Sequence, residues 1–129
     1  MRFKEFVSVK DAVGSTSSHL AIISSYRKDR PERLNQIRYK ELAEDIDKIS
    51  GFQYTPMKNK YLIMAGATTH DSFVEYIVYW LNKYEQDHAL IRFSNDDIAW
   101  KVLATGNKYM IGSWSEDIQP KIQQKEDIV

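Results

Sequence analysis

The hydrophobic pattern of the chain changes its period several times, and two blocks with helical spacing stand out. The first covers residues 31–49, opens on a proline that suits a first helical turn, and is followed by Gly51 as a stop signal. The second covers residues 72–86, where Ser72 and Glu75 have the spacing of a capping box. The pattern therefore predicts two helices.

The other apolar blocks are short and end at turn residues, as strands do. Residues 19–26 are apolar on both alternating faces, which is typical of a central strand covered on both sides. The predicted strands cover residues 19–26, 52–57, 60–66, 88–93, 97–104 and 108–114. The first six elements run β-α-β-β-α-β, the order of a ferredoxin-like fold. We therefore expect an α+β fold with two helices on a mainly antiparallel sheet, extended by a C-terminal β-hairpin.

The length of 129 residues fits one domain with a flank at each side. Residues 1–17 predict an N-terminal arm, which either packs loosely on the domain or serves as a docking or packaging peptide. The α+β domain covers residues 18–114, and the polar residues 115–129 predict a C-terminal tail. We expect no secretory signal and no membrane partner, since no apolar run reaches the length of a span.

Charge and cysteine content narrow the classes of partner. Lys plus Arg equals Asp plus Glu at 18 each, which argues against general nucleic-acid binding and permits contact between copies. The chain has no cysteine, which excludes disulfides and thiolate metal sites. This composition fits a reducing cytoplasm or the interior of a virion.

No pattern points to catalysis, a metal or a cofactor. The histidines lack the spacing of metal ligands, and His19 and His88 should open neighbouring antiparallel strands at opposite ends. Residues 70–72 spell His-Asp-Ser, but adjacent side chains at a helix start diverge, whereas a triad must converge. The acidic pairs at 44–45 and 96–97 fit a solvated helix face and a turn. The sequence leaves open whether the protein is an enzyme.

The junction between the first strand and the first helix carries an unusual charge order. Residues 27–40 include six basic and two acidic side chains, and residues 41–47 then supply four acidic ones. This order is the reverse of what the helix dipole favours. One interpretation is an anion site for phosphate or carboxylate, and the other is a solvated helix face. The predicted anion-binding residues are Arg27, Arg30, Asn35 and Arg38. On that view, Arg38→Gln should leave stability unchanged or slightly higher.

Aromatic residues on the last predicted hairpin suggest a protein interface. Trp100, Tyr109 and Trp114 could anchor a partner. On this hypothesis, Trp114→Ala weakens a contact without unfolding the chain.

The segment HLAIISSYR, with Asn35 and Arg38 ahead of YKELAEDI and GF, resembles an uncharacterised family of small tailed-phage and bacterial proteins. Gln86 and Asp87 supply the Gln-Asp pair of that family pattern, and MRFKEF is similar to a leader of T4-like phage proteins. The resemblance implies a phage origin and a convergence of Arg27, Asn35, Arg38, Gln86 and Asp87. One departure is the start of the third strand, where residues 59–61 replace the Glu and Ser of the family.

A second expectation conflicts with that convergence. We expect the end of the first strand to lie near the end of the fourth, away from Gln86, so that the pattern marks two separate features. The first hypothesis for function is a phage accessory or virion-associated protein that binds a host or virion protein, or a second copy of the chain. It would act in the host cytoplasm or inside the virion. The alternative is an enzyme or sensor for a phosphorylated small molecule, using the basic junction at residues 27–40.

Overall fold

The computed structural model describes residues 17–66 and 68–123, and within them it confirms the α+β class. The described chain forms three α-helices, one π-helical turn and six strands. The strands are β1 (His19–Ser24), β2 (Phe52–Met57), β3 (Lys60–Ala65), β4 (His88–Arg92), β5 (Ile98–Leu103) and β6 (Lys108–Ser113). The helices are α1 (Glu32–Asp47), α2 (His70–Lys83) and α3 (Gln119–Gln123), and the π-helical turn is Trp114–Ile118. The predicted arm, apart from residue 17, lies outside the described residues.

The six strands form one open antiparallel sheet in the order β2-β3-β1-β4-β5-β6. β1 is central, and its Ile22 pairs with Leu62 of β3 on one side and with Leu90 of β4 on the other. Because neighbouring strands run in opposite directions, the end of β1 lies beside the starts of β3 and β4. The loop after β1, the turn before β3 and the loop before β4 therefore meet at one end of the sheet.

The main core lies between one face of the sheet and helices α1 and α2. Leu42 and Ile46 of α1 are fully buried there, as are Phe73 and Ile77 of α2. Their spacing of four residues places each pair on one side of its helix. These apolar faces hold the two helices, and thus the junction between β1 and α1, against the sheet.

The second face of the sheet is covered by residues that the sequence assigns mainly to a polar tail. Trp114 is fully buried, and Ile118 and Ile122 are 5 % and 2 % exposed, in a cluster with Ile22 and Leu90. The predicted tail is therefore wrong for residues 115–123. Ile118 and Ile122 are four positions apart, so one helical turn carries both onto the sheet, although most of their neighbours are polar.

Helix α2 begins earlier than predicted. Thr69 is its N-cap, and the Thr69 hydroxyl accepts a hydrogen bond from the Ser72 amide at 3.1 Å. The predicted capping role of Ser72 is therefore wrong, since Ser72 lies inside the helix and Thr69 performs that role. Across residues 17–66 and 68–123, no helix combines the length and apolar character needed to cross a membrane.

Candidate functional site

Residues from three loops converge at the end of β1. The Gln86 side-chain amide donates to the carbonyl of Tyr26 at 3.0 Å, and the Arg27 guanidinium donates to the carbonyl of Glu85 at 2.6 Å. The expectation that Gln86 lies far from the end of β1 is therefore wrong. That expectation placed the ends of β1 and β4 side by side, as in parallel strands. The two strands are antiparallel, so the end of β1 lies beside the start of β4.

Asn35 is a buried clamp on the loop that follows β1. Its side-chain NH₂ lies 3.0 Å from the carbonyl of Arg27 and 3.4 Å from the carbonyl of Arg30, and its oxygen accepts from the Arg27 amide at 3.0 Å. The loop also closes on itself, since the Arg30 amide donates to the Arg27 carbonyl at 3.2 Å. All the polar atoms of Asn35 are therefore used within the chain. The structure places Asn35 behind the loop as a support, not as a donor for an external anion.

The three arginines predicted to bind an anion all hold groups of this chain. Arg27 forms a two-pronged pair with Asp29, at 2.8 and 2.9 Å. Arg30 contacts both carboxylate oxygens of Glu85, at 2.9 and 3.1 Å. Arg38 donates to the carbonyls of Ser25 and Tyr84 and to the Glu85 carboxylate. The hydrogen bond and charge of Arg30 lower the pKa of Glu85, and the charge of Arg38 adds to this effect.

Glu85 takes a backbone conformation that is unusual for its residue type. Its φ is 56°, in the left-handed region where glycine is favoured. The Gln86 amide donates to the Leu81 carbonyl at 2.8 Å, and the Glu85 amide donates to the Asn82 carbonyl at 3.3 Å. This pair of bonds is the Schellman motif, which usually ends a helix on glycine. The chain instead places there the carboxylate that joins Arg30 and Arg38.

The reversed charge order of α1 matches the end of α2. The basic half of α1 supplies Arg38 to Glu85, whereas the acidic half supplies Asp45 and Glu41 to Lys83, at 2.8 and 3.2 Å. The hydrogen bond that Lys83 donates to Asp45 is the main cause of the raised pKa of Lys83. The charge order that the helix dipole disfavours therefore gives each half of α1 an oppositely charged partner at the end of α2.

An open cavity of about 610 Å³ lies beside this junction. Its apolar lining comes from Ile22, Ala89 and Leu90. Its polar and charged lining consists of Ser24, Tyr26, Arg27, Lys28, Arg30, Glu32, Asn35, Asn59, Lys60, Gln86, Asp87 and His88. Four cationic side chains thus face two carboxylates. The phage-family pattern was expected to converge at Arg27, Asn35, Arg38, Gln86 and Asp87. All of these residues except Arg38 line this cavity.

Lys28 and Lys60 were not among the predicted binding residues, yet both line the cavity. Unlike Arg27 and Arg30, neither lysine ammonium has a hydrogen-bond or ion-pair partner within the described part of the chain. An unpaired ammonium beside an apolar surface can take a phosphate or a carboxylate. The signal that could have found Lys60 is the antiparallel order itself, which puts the start of β3 beside the end of β1.

Two tyrosines fix the turn that carries Asn59 and Lys60. The Tyr39 hydroxyl lies 2.9 Å from the Met57 carbonyl and 2.8 Å from the Lys60 carbonyl, and the Tyr61 hydroxyl donates to the Tyr39 carbonyl at 3.0 Å. The two rings stack with centroids 4.1 Å apart. The rim of the cavity is therefore held by α1 and is not left to a loose turn.

The predicted interface residues separate into three environments. Tyr109 is 54 % exposed on β6, Trp100 is half-buried against the main core, and Trp114 is fully buried. The Trp114 amide donates to the Asp97 carbonyl at 2.6 Å, at the point where the chain turns back beneath the sheet. Trp114 is therefore a core residue, and its predicted role as an exposed anchor is wrong for this conformation.

His19 also serves the fold. Its Nε2 donates to the Thr68 carbonyl at 2.8 Å, and its Nδ1 accepts from the Ser94 amide at 3.0 Å, which defines a neutral ring. Burial lowers the pKa of His19. Within residues 17–66 and 68–123, no group of three or more His, Cys, Asp or Glu side chains is placed to hold a metal ion.

Comparison with known proteins finds no protein-family model that matches the chain and no curated protein that is similar to it. The resemblance to a phage family thus stays a prediction.

Proposed function

We propose that this chain is a binding protein, and that its ligand is a small molecule bearing a phosphate or a carboxylate. The observation that carries the proposal is the cavity at the end of β1, where Lys28 and Lys60 bring unpaired positive charge to a partly apolar hollow. Such a combination suits a ligand with an anionic group and an apolar or aromatic body. The anion would meet the lysines, because the predicted arginines are already paired with Asp29 and Glu85.

The arginines contribute in a different way from the one that their sequence suggests. By holding Glu85 and the carbonyls around it, Arg30 and Arg38 support the loops that form the wall of the cavity. A preformed wall costs less ordering when a ligand binds. The function proposed is therefore that of a sensor or carrier. The alternative is an enzyme that acts on the same ligand, and it would have to use the same cavity.

A thermal-shift screen tests this function. Wild-type protein is mixed with inorganic phosphate, pyrophosphate, nucleotides and sugar phosphates, and a ligand at a hundred times its Kd should stabilise the fold by about 2.7 kcal/mol. Lys28→Gln and Lys60→Gln should each reduce the shift. Lys48→Gln, at the far end of α1, is the matched control and should keep it. No shift with any of these anions near their solubility limits would reject the proposal.

A second function is favoured by a separate observation, the exposed apolar side chains on β6. Tyr109, Met110 and Ile111 are 54 %, 66 % and 46 % exposed and lie on an edge strand of the sheet formed by the described residues. An exposed apolar edge strand can pair with a strand of another protein. This supports the role of an accessory or virion-associated protein that binds a host or virion protein. Pull-down of binding partners with wild type and with Met110→Lys tests it, and equal recovery by both would reject β6 as the surface.

We assign residues 19–92 to a ferredoxin-like β-α-β-β-α-β core, with β5 and β6 as an added hairpin. The adjacency of β4 to β1, β1 to β3, and β3 to β2 supports this assignment. Phage origin, with action in the host cytoplasm or packaging in the virion, rests on the sequence resemblance. Mass spectrometry of purified virions would test the packaging.

A further inference from the structure

The free edge of β6 has a backbone pattern that decides what can pair with it. The Leu103 amide donates to the Asn107 carbonyl at 2.8 Å, and the register then pairs Val102 with Lys108 and Lys101 with Tyr109. Bonded and non-bonded pairs alternate in an antiparallel ladder, so Tyr109 directs its amide and carbonyl toward β5. The amides and carbonyls of Lys108 and Met110 then point away from β5, toward the open edge.

The open edge has a defined end. The amide of Ser113 also points outward, but it donates to the Asp117 carboxylate at 2.8 Å. The outer groups that remain for a partner are thus those of Lys108 and Met110, two positions apart. At the opposite edge of the sheet, Pro56 of β2 has no amide hydrogen to offer. Of the two edges, β6 is therefore the one suited to pairing.

We infer that β6 pairs with β6 of a second copy of this chain, antiparallel, about a two-fold axis at Tyr109. In that register, Lys108 of each copy lies opposite Met110 of the other, and each of the two pairs forms two backbone hydrogen bonds. The outward amides and carbonyls of one copy therefore pair with the same set of groups on the other copy. This self-complementarity is the condition for a closed dimer. The inference rests on the proposed function in one respect, because it names the partner of the protein-binding edge.

The side chains agree with this register. Tyr109 would lie beside Tyr109 of the second copy as a non-bonded pair, whose Cβ atoms approach to about 5 Å, and aromatic cross-strand pairs are favourable. Lys108 lies 5.4 Å from the centroid of the Trp100 ring, so its charge is already accommodated on its own sheet. The net charge of zero adds no overall repulsion between copies. The contact is small, so the expected Kd lies in the range of about 1 μM to 1 mM.

Sedimentation velocity over that concentration range tests the inference on the full chain. Met110→Lys places a lysine opposite Lys108 of the second copy, at both pairs of the two-fold contact, and should weaken the dimer at least tenfold. Met110→Glu places opposite charges there and should retain or strengthen the dimer at low salt. Ile37→Lys, at a 55 % exposed apolar position on α1, is the matched control and should leave the dimer unchanged. Far-UV circular dichroism verifies that each variant is folded.

Because the sequence contains no cysteine, cross-linking through one introduced cysteine provides a second measurement. Tyr109→Cys introduces a unique thiol at the two-fold axis and should cross-link under mild oxidation much faster than Ile37→Cys. A chain that remains monomeric throughout the range would overturn the inference. So would a dimer that Met110→Lys and Met110→Glu weaken alike, since that result places Met110 opposite something other than Lys108. A monomer that still recovers another protein through β6 would overturn self-pairing while leaving the protein-binding function in place.

Discussion

Gln86, in the loop before β4, donates a hydrogen bond to the carbonyl of Tyr26, in the loop after β1, at 3.0 Å. Sixty positions of sequence separate the two residues. The same Gln86 amide group lies 3.0 Å from the Tyr84 carbonyl, so one side chain joins the end of α2 to the loop after β1. This connection closes the wall of the cavity on which the proposed function depends.

Arg38→Gln should destabilise the fold, in contrast to the expectation from the sequence. The Arg38 side chain is 14 % exposed and donates to the carbonyls of Ser25 and Tyr84, which glutamine is too short to reach together. Loss of hydrogen bonds from a charged donor to half-buried carbonyls should cost about 1–3 kcal/mol. Urea denaturation measures it. Arg33→Gln is the control, since the exposed Arg33 has no partner within the described residues. Equal midpoints for the two variants would contradict the assignment.

Trp114→Ala should lower the free energy of unfolding by about 3–5 kcal/mol, because it empties a fully buried indole site on the second face of the sheet. Tyr109→Ala removes a half-exposed ring and should change stability little. Chemical denaturation monitored by circular dichroism compares the two. If Trp114→Ala kept the stability of wild type, residues 114–123 would not be part of the core.

Stability should fall as the pH is lowered below about 6.5, the ordinary pKa of histidine. Burial of His19, with the nearby charges of His70 and Arg92, holds the pKa of His19 below that value in the folded state. The unfolded chain therefore binds the proton more tightly, so the contribution of His19 is complete above its ordinary pKa and is lost below it.

Urea midpoints near pH 7.5 and near pH 5 measure this loss, over the range in which histidine titrates. His19→Gln should be less stable than wild type at the higher pH and should lose less on acidification. His88→Gln is the comparison variant and should keep the contribution of His19. An undiminished acid loss in His19→Gln would assign the effect to other groups.

Two substitutions of Glu85 separate its backbone from its carboxylate. Glu85→Ala and Glu85→Gly both remove the contacts with Arg30 and Arg38, but only glycine is at ease at a φ of 56°. We expect Glu85→Gly to have the higher denaturation midpoint of the two. Both variants should also bind inorganic phosphate more weakly than wild type, because the loops that Glu85 holds through Arg30 and Arg38 are no longer preformed, and calorimetric titration measures this. A lower midpoint for the glycine variant would contradict the strained geometry.

The sequence predicts the elements well where period and turn signals agree. The blocks at residues 52–57 and 60–66 match β2 and β3 closely, because residues 58 and 59 form an unambiguous turn. The segment 115–123 was missed because two isoleucines among polar neighbours look like a tail until the sheet supplies a surface for them. Thr69 was missed as the N-cap since Ser72 and Glu75 gave a competing signal of the same kind.

The site was harder to predict because its decisive contacts are between residues far apart in the sequence. A basic run followed by an acidic one is visible in the chain, but their partners both lie at the end of α2. Glu85 pairs with the arginines, and Lys83 pairs with the carboxylates. The dipole of an isolated helix disfavours the charge order of α1. That order is explained only by the tertiary contacts of α1 with the end of α2, which the local sequence does not show. Lys60 was not predicted as a site residue, because it comes close to the basic run only when β1 and β3 pair.

The contacts that tie β1 to the loop before β4 also bear on the order of folding. Arg27 and Glu85 are 58 positions apart, so a long loop must close before their bond can form. Contacts of such separation contribute late unless they belong to the folding nucleus. Weakening this junction should then quicken the unfolding rate while leaving the refolding rate nearly constant, which a stopped-flow chevron measures. The cavity would in that case be the last part of the molecule to assemble and the first to be lost, so ligand binding would act chiefly on the lifetime of the native state.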